Sequence, residues 1–100
     1  MPLPKRETRE LRGDHGRVLA TSEYLGDVLD GPSRVFSPTG IITQELMYRA
    51  GQLHGPYQTW WDNGQLKESG NYDMGRRVGI YRWFKDDGTV WQTHDYGTAL

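Results

Sequence analysis

The sequence contains no cysteine, which excludes disulfide bonds and thiolate metal sites. Neither sign of charge is in excess, because 12 Lys and Arg stand against 13 Asp and Glu and give a formal net charge of -1. General nucleic-acid binding needs a basic face, so we expect no nucleic-acid partner. No run approaches the roughly 20 apolar residues of a membrane-spanning helix. Residues 1–12 also lack the apolar core of a secretory signal peptide, and we expect a cytoplasmic protein.

Apolar residues are scarce at 35%, whereas glycine and aromatic residues are abundant. The 100 residues support one domain and include 13 glycines and 12 aromatic residues. Glycine falls too often along most of the chain for a helix of ordinary length. Aromatic residues separated by glycine are typical of β-strands joined by turns rather than of a disordered chain.

The chain repeats itself every 24 residues. Five series of glycine, aromatic or aliphatic residues recur with this period and in one register. The series are Gly16, Gly40, Gly64 and Gly88; Tyr24, Tyr48, Tyr72 and Tyr96; Gly31, Gly55 and Gly79; Phe36, Trp60 and Phe84; and Val18, Ile42, Leu66 and Val90. Five series in phase are very unlikely to arise by chance, so the chain is predicted to consist of structural repeats.

Each repeat has the pattern of a β-hairpin. In the clearest unit, residues 62–64 (Asp-Asn-Gly) separate two strand-like segments, 57–61 and 65–72, and this tripeptide favours a tight turn. Strict alternation along the second segment places Leu66 and Tyr72 on one face. We therefore expect an aliphatic-plus-tyrosine face and an opposite, mostly polar face.

The predicted fold class is all-β, an elongated antiparallel single-sheet array of about four β-hairpin repeats of 24 residues. Residues 1–8 are predicted to be an N-terminal tail, and residues 9–97 the repeat domain. Its units lie near residues 9–30, 31–54, 55–78 and 79–97. A single hairpin is only marginally stable in water, so the units must stack. The two open edges of the sheet can pair with another chain, and we therefore expect that homo-oligomerisation through the edges is possible.

A set of glycine, aromatic and aliphatic residues marks the third and fourth units: Gly55, Tyr57, Trp60, Trp61, Asn63, Gly64, Leu66, Tyr72, Gly75, Gly79, Tyr81, Phe84, Asp87, Gly88, Val90 and Tyr96. In these residues the chain resembles the MORN repeat family, in the shorter variant found in bacterial proteins of the YwqK type. The resemblance implies stacked hairpins in one twisted sheet and contact with a protein or a membrane lipid rather than catalysis. An antitoxin role is often assigned to proteins of this type, so the resemblance also implies a module that neutralises or scaffolds a partner.

Five aromatic residues are predicted to contact a protein partner. Trp61, Trp83 and Trp91 align with smaller or polar residues in the other repeats, so the common fold does not require them. Tyr57 and Tyr81 join them in the predicted surface, because Trp and Tyr dominate binding hot spots. The alternative, simple packing of these rings on the sheet surface, stays open. The aromatic residues that recur in every unit are predicted to be core residues instead.

Binding to an anionic membrane surface is the alternative function. Arg76, Arg77 and Arg82 form a local basic patch, which is typical of headgroup contact but also of solvated loops. The three histidines lie in different units, and no spacing typical of metal ligands or of a catalytic set is present. We therefore expect no enzyme, no cofactor and no metal, with another protein as the favoured partner.

Overall fold

In the computed structural model, which describes residues 2–98, the chain forms one antiparallel sheet in hairpin order, and the predicted all-β fold is confirmed. The strands are β1 (Arg6–Arg12), β2 (Val18–Leu25), β3 (Val28–Phe36), β4 (Ile42–Arg49), β5 (Gln52–Leu53), β6 (Gly55–Trp60), β7 (Leu66–Asp73), β8 (Arg76–Phe84) and β9 (Val90–Asp95). Neighbours follow this order from β1 to β9, except that the short β5 pairs with β4 beside the main path. Within residues 2–98, no helix is long and apolar enough to cross a membrane.

The four hairpins are β1–β2, β3–β4, β6–β7 and β8–β9, and all four close with a three-residue turn held by the same two backbone hydrogen bonds. In the third hairpin the Gly64 N–H donates to the Trp61 carbonyl at 2.9 Å, and the Trp61 N–H donates to the Gln65 carbonyl at 2.8 Å. Gly64 has a φ of +88°, a left-handed conformation that glycine adopts without steric cost. The second hairpin makes the same bonds, and its turn contains a β-turn over residues 37–40. Pro38 occupies position i+1 of this β-turn, where proline is favoured.

Every hairpin carries a β-bulge at the same place. In the third hairpin Thr59 pairs with Glu68 and Trp60 pairs with Leu66, so Lys67 is an extra residue on β7. The extra residue recurs with the repeat as Leu19, Thr43, Lys67 and Trp91. The bulge is therefore part of the repeating unit.

This bulge overturns the predicted aliphatic-plus-tyrosine face. Paired residues of a sheet place their side chains on the same face. Leu66 therefore shares a face with its partner Trp60, whereas Tyr72 lies on the other face, with its ring centroid 5.5 Å from that of Tyr57. The prediction assumed strict alternation from Leu66 to Tyr72, and the extra residue, Lys67, reverses it.

The sheet is a single layer. The molecule measures 49 × 43 × 11 Å, and among the hydrophobic side chains of residues 2–98 Tyr81 alone is buried. The first strand begins at Arg6, so residues 6–8, which the sequence assigned to a tail, lie in the sheet. With so small a core, the strand ladder and the contacts on each face must stabilise the fold.

Candidate functional site

Five aromatic side chains of the third and fourth hairpins lie together on one side of the sheet. We call this side the aromatic face, and its members are Tyr57, Tyr72, Tyr81, Trp83 and Tyr96. The centroids of contacting rings lie between 4.6 and 6.1 Å apart, in tilted or edge-on arrangements that aromatic pairs prefer. Three of the five predicted contact residues, Tyr57, Tyr81 and Trp83, therefore come together here.

Tyr81 is the centre of the aromatic face and has no exposed surface. Its ring covers Gly70 on the neighbouring strand, where a Cβ would lie 2.2 Å from the ring. The ring centroid of Trp83 is 4.6 Å from that of Tyr81, and the centroid of Tyr57 is 6.0 Å away. Because a side chain without exposed surface cannot contact a partner directly, Tyr81 is corrected from a contact residue to the support of the surrounding rings.

Arg77 ties two of the tyrosines together. Its Nε donates to the Tyr72 hydroxyl at 3.0 Å, and its Nη1 donates to the Tyr96 hydroxyl at 3.0 Å. The guanidinium carbon lies 4.8 Å from the Tyr81 ring centroid, within the range of a cation–π contact. The hydrogen bonds to Tyr72 and Tyr96 raise the pKa of Arg77 further above its ordinary value, so this side chain stays charged.

Glu68 orders the other end of the aromatic face. Its carboxylate accepts a hydrogen bond from the Thr59 hydroxyl at 2.9 Å and another from the Trp83 indole N–H at 3.2 Å. Burial, followed by the negative charge of Glu68, raises the pKa of Tyr57 above its ordinary value. The carboxylate thus holds Trp83 in place through its indole N–H.

The remaining two predicted contact residues lie elsewhere. The Trp61 indole N–H donates to the Phe84 carbonyl at 3.3 Å, and the Lys67 ammonium lies 4.6 Å from the centroid of the Trp61 ring. Trp61 therefore links the turns of the third and fourth hairpins. Trp91 is the bulge residue of the last strand and is 57% exposed.

The three arginines of the predicted lipid site do not converge. Arg77 pairs with Tyr72 and lies on the aromatic face. Arg82 stands between Tyr81 and Trp83 on β8, so its side chain lies on the opposite face, which we call the reverse face. Arg76 is exposed at the start of β8. One flat membrane surface cannot contact Arg77 and Arg82 together.

Two open clefts lie on the part of the sheet that the structure describes. An open cleft of about 460 Å³ adjoins the aromatic face at Tyr57 and Glu68. Another of about 600 Å³ lies between the first two hairpins, lined by Val18, Phe36 and Arg17, far along the chain from the aromatic face. Among residues 2–98, no group of three or more His, Cys, Asp or Glu side chains could hold a metal ion.

Sequence reasoning missed several members of the site. Tyr72 and Tyr96 were predicted as core residues because they recur in every repeat, yet both lie at the rim of the aromatic face. Glu68 was not predicted as a site residue. For Glu68 and Tyr72 the usable signal is their position two residues before and two residues after Gly70, because residues i and i+2 of a strand share a face.

Comparison with known proteins supports the repeat assignment for one unit. Residues 53–74, which contain the third hairpin, match a family model described as MORN repeat variant. No curated protein and no solved structure gives a significant match. MORN repeats are generally non-catalytic modules that interact with proteins or membrane lipids.

Proposed function

We propose that this chain is a non-catalytic protein-interaction module that binds its partner through the aromatic face. The observation that carries the proposal is a cluster of five aromatic residues on one side of a sheet only one layer thick. Sheets of this kind usually bury their apolar side against a second layer. Within residues 2–98 the chain supplies no such layer, and a partner protein would provide it.

The accessible surface is larger than that of a compact monomer of the same mass. The chain exposes 6922 Å², about a fifth more than the roughly 5,800 Å² expected of a compact monomer of 11.5 kDa. This excess is comparable with the roughly 800 Å² that each partner buries in a standard protein–protein interface. A partner on the aromatic face would therefore give the molecule the surface of an ordinary globular protein.

The aromatic face is already organised for binding. Arg77 holds Tyr72 and Tyr96 through their hydroxyls, while Glu68 holds Trp83 through its indole N–H. Side chains fixed before binding lose little conformational entropy when a partner arrives. Large rings with polar tips are also the groups that dominate binding energy in known interfaces.

The narrower form of the proposal is that the partner is a protein toxin in the bacterial cytoplasm, which this chain neutralises. It rests on the resemblance to the YwqK type. The test is recovery of a small toxic protein with the chain, and loss of that toxicity when the chain is added in equal amount. Toxicity unchanged by the chain would leave the interaction module without the antitoxin role.

Binding to anionic lipid is less well supported, because its arginines lie on both faces of the sheet. Sedimentation with vesicles that contain phosphatidylserine tests it directly. Under the protein-interaction proposal, little of the chain sediments with such vesicles at physiological salt.

The experiment that tests the proposed function is affinity capture from the native cell with paired variants. Tyr57→Ala with Tyr96→Ala removes two rings at the rim of the aromatic face, and Gln58→Ala with Arg82→Ala removes two side chains of the reverse face. We expect one protein to be captured by the wild type and by the reverse-face variant, and to be lost from the aromatic-face variant.

Far-UV circular dichroism of both variants must match the wild type for this comparison. If the double variant loses its fold, Tyr57→Ala alone, with Gln58→Ala as its control, replaces it. Equal capture by all the folded proteins would contradict the assignment of the aromatic face.

A further inference from the structure

The two open edges of the sheet differ in chemistry. The strand β1 reads RETRELR, with five charged residues among seven, and two prolines shortly precede it. The strand β9 reads VWQTHD, with one carboxylate, and its Val90 and Trp91 are 51% and 57% exposed. Charge and proline on an edge strand are common devices against edge-to-edge pairing. The β1 edge is therefore protected, and the β9 edge is not.

The charges of β1 are fixed on the sheet by its own neighbours. Arg6 donates to the Glu23 carboxylate at 2.8 Å and to the Asp30 carboxylate at 3.1 Å. Arg9 donates in the same way to Glu7 and Asp27, in both cases at 2.8 Å. Of these contacts, the one between Arg6 and Asp30 reaches β3 and links the first hairpin to the second.

The glycine that marks each junction between hairpins is missing from β1. Gly31, Gly55 and Gly79 have φ of +118°, +111° and +68° and lie in the first strands of the second, third and fourth hairpins. A Cβ at Gly31 would also lie 3.0 Å from the side chain of Glu23. The equivalent residue of the first hairpin is Glu7, 24 positions before Gly31. The β1 strand of another copy therefore cannot continue the array beyond β9 with the geometry of the internal junctions.

We propose that β9 pairs with β9 of a second copy of this chain, so that the protein is a two-fold symmetric dimer with one continuous sheet. Inside the chain, the second strand of each of the first three hairpins is covered by the next hairpin, as in the pairs β2–β3, β4–β6 and β7–β8. The strand β9 holds the same place in the fourth hairpin, and no strand within residues 2–98 covers its outer edge. Since β1 is excluded, the unprotected edge that each copy offers is β9, and two identical edges form a closed pair rather than a fibre.

The symmetry of the pair fixes which residues meet. Antiparallel pairing of identical edges places the two-fold axis normal to the sheet, so paired residues lie on the same face. A register centred on Thr93 sets this residue opposite its own copy, with Gln92 opposite His94. Thr–Thr pairs are favourable across strands. Gln92 pairs with Trp83 of the aromatic face, so the two aromatic faces come to lie on the same side of the joined sheet.

The test is the mass of the intact chain by sedimentation equilibrium over a wide range of concentration. We expect the mass to rise from 11.5 kDa to twice that value and to stop there. Thr93→Lys removes the Thr–Thr pair and places two like charges opposite each other on the axis, which should weaken the dimer by about two- to tenfold. Leu11→Lys is the matched control on the β1 edge, where Leu11 is 63% exposed, and it should leave the dimer intact.

Other outcomes overturn the proposal. A mass of 11.5 kDa at every concentration would show that β9 does not pair with a second copy, so that its edge is available to a strand from a different protein. Masses beyond that of the dimer would show head-to-tail growth. A dimer that survives both Thr93→Lys and Trp91→Lys would use another surface.

Capture of the partner by a monomeric Thr93→Lys variant would separate this dimer from the proposed function, because the aromatic rings are unchanged in that variant.

Discussion

At the scale of single residues, the fold depends on the contact between Tyr81 and Gly70. Tyr81 is buried without a second layer because its ring lies flat over a strand position that has no side chain. Trp83 and Tyr57 then cover its sides. An aromatic ring that covers a glycine on the neighbouring strand is a known way to protect a sheet at this weak position.

The substitution Gly70→Ala should therefore be costly. Its Cβ would lie 2.2 Å from the Tyr81 ring, so the ring must move and the aromatic face must repack, at a cost of about 1–3 kcal/mol. Urea denaturation measures the loss. The control is Asn71→Ala, an exposed neighbour on β7, which should change stability by less than about 0.5 kcal/mol. Equal effects of the two substitutions would contradict the packing described.

The buried hydroxyl of Tyr81 leads to a prediction about pH. Within residues 2–98 this hydroxyl has no hydrogen-bond partner, and burial, followed by the charge of Glu68, raises its pKa above the ordinary value. The unfolded chain releases this proton near pH 10, before the folded chain does. The contribution of the Tyr81 hydroxyl to the free energy of unfolding is therefore fully present below about pH 10. It is lost as the pH rises above that value.

Tyr81→Phe should remove part of this alkaline loss, because phenylalanine does not titrate. At neutral pH we expect stability to be unchanged or higher by up to about 1 kcal/mol, since a buried hydroxyl without a partner is removed. Tyr72→Phe is the matched comparison and should lower stability, because it removes the hydrogen bond from Arg77. Urea midpoints at pH 7 and pH 11 check both, and an unchanged alkaline slope in Tyr81→Phe would contradict the account.

At the scale of the elements, the repeat and its glycines allowed the hairpins to be predicted. Residues 62–64 form the expected turn. The strand β6 ends at Trp60, one residue before the predicted end of the first segment. The strand β7, Leu66–Asp73, differs from the predicted segment 65–72 by one residue at each end. The bulge could not be predicted, because neither Lys67 nor Trp91 differs from an ordinary strand residue in the sequence. Only the pairing between strands reveals the extra residue. The extra residue determines on which face of the sheet each repeated series of side chains lies.

The turn between β7 and β8 carries a local strain that can be relieved. Met74 has a φ of +46° and Gly75 a φ of +89°, the conformation of a two-residue turn that favours Asn-Gly. Met74→Asn should raise stability by about 1 kcal/mol, because a left-handed conformation costs a methionine more than an asparagine. Urea denaturation is the measurement, and a loss of stability would show that the 44% exposed Met74 side chain makes a necessary contact.

At the scale of the whole molecule, a single sheet of stacked hairpins followed from the sequence, and the composition of the aromatic face followed only in part. The pattern singled out Tyr57 and Trp83, whose contact with a partner stays a prediction, but not which rings are buried beneath others. Tyr81 is more buried than Tyr57 because it has a ring on each side, Tyr57 on β6 and Tyr96 just after β9, and Trp83 beside it on β8. Such neighbours come from strand order and register, which one sequence does not display.

The central claim is that a protein partner contacts the aromatic face, and photo-crosslinking in the native cell tests it most directly. A benzophenone amino acid replaces either Tyr57, on the aromatic face, or its neighbour Gln58, on the reverse face. The two probes lie on one strand and differ in the face that they sample. We predict an adduct with one other protein from position 57 and none from position 58. An adduct from position 58 alone, equal adducts from both positions, or no adduct from either would contradict the claim.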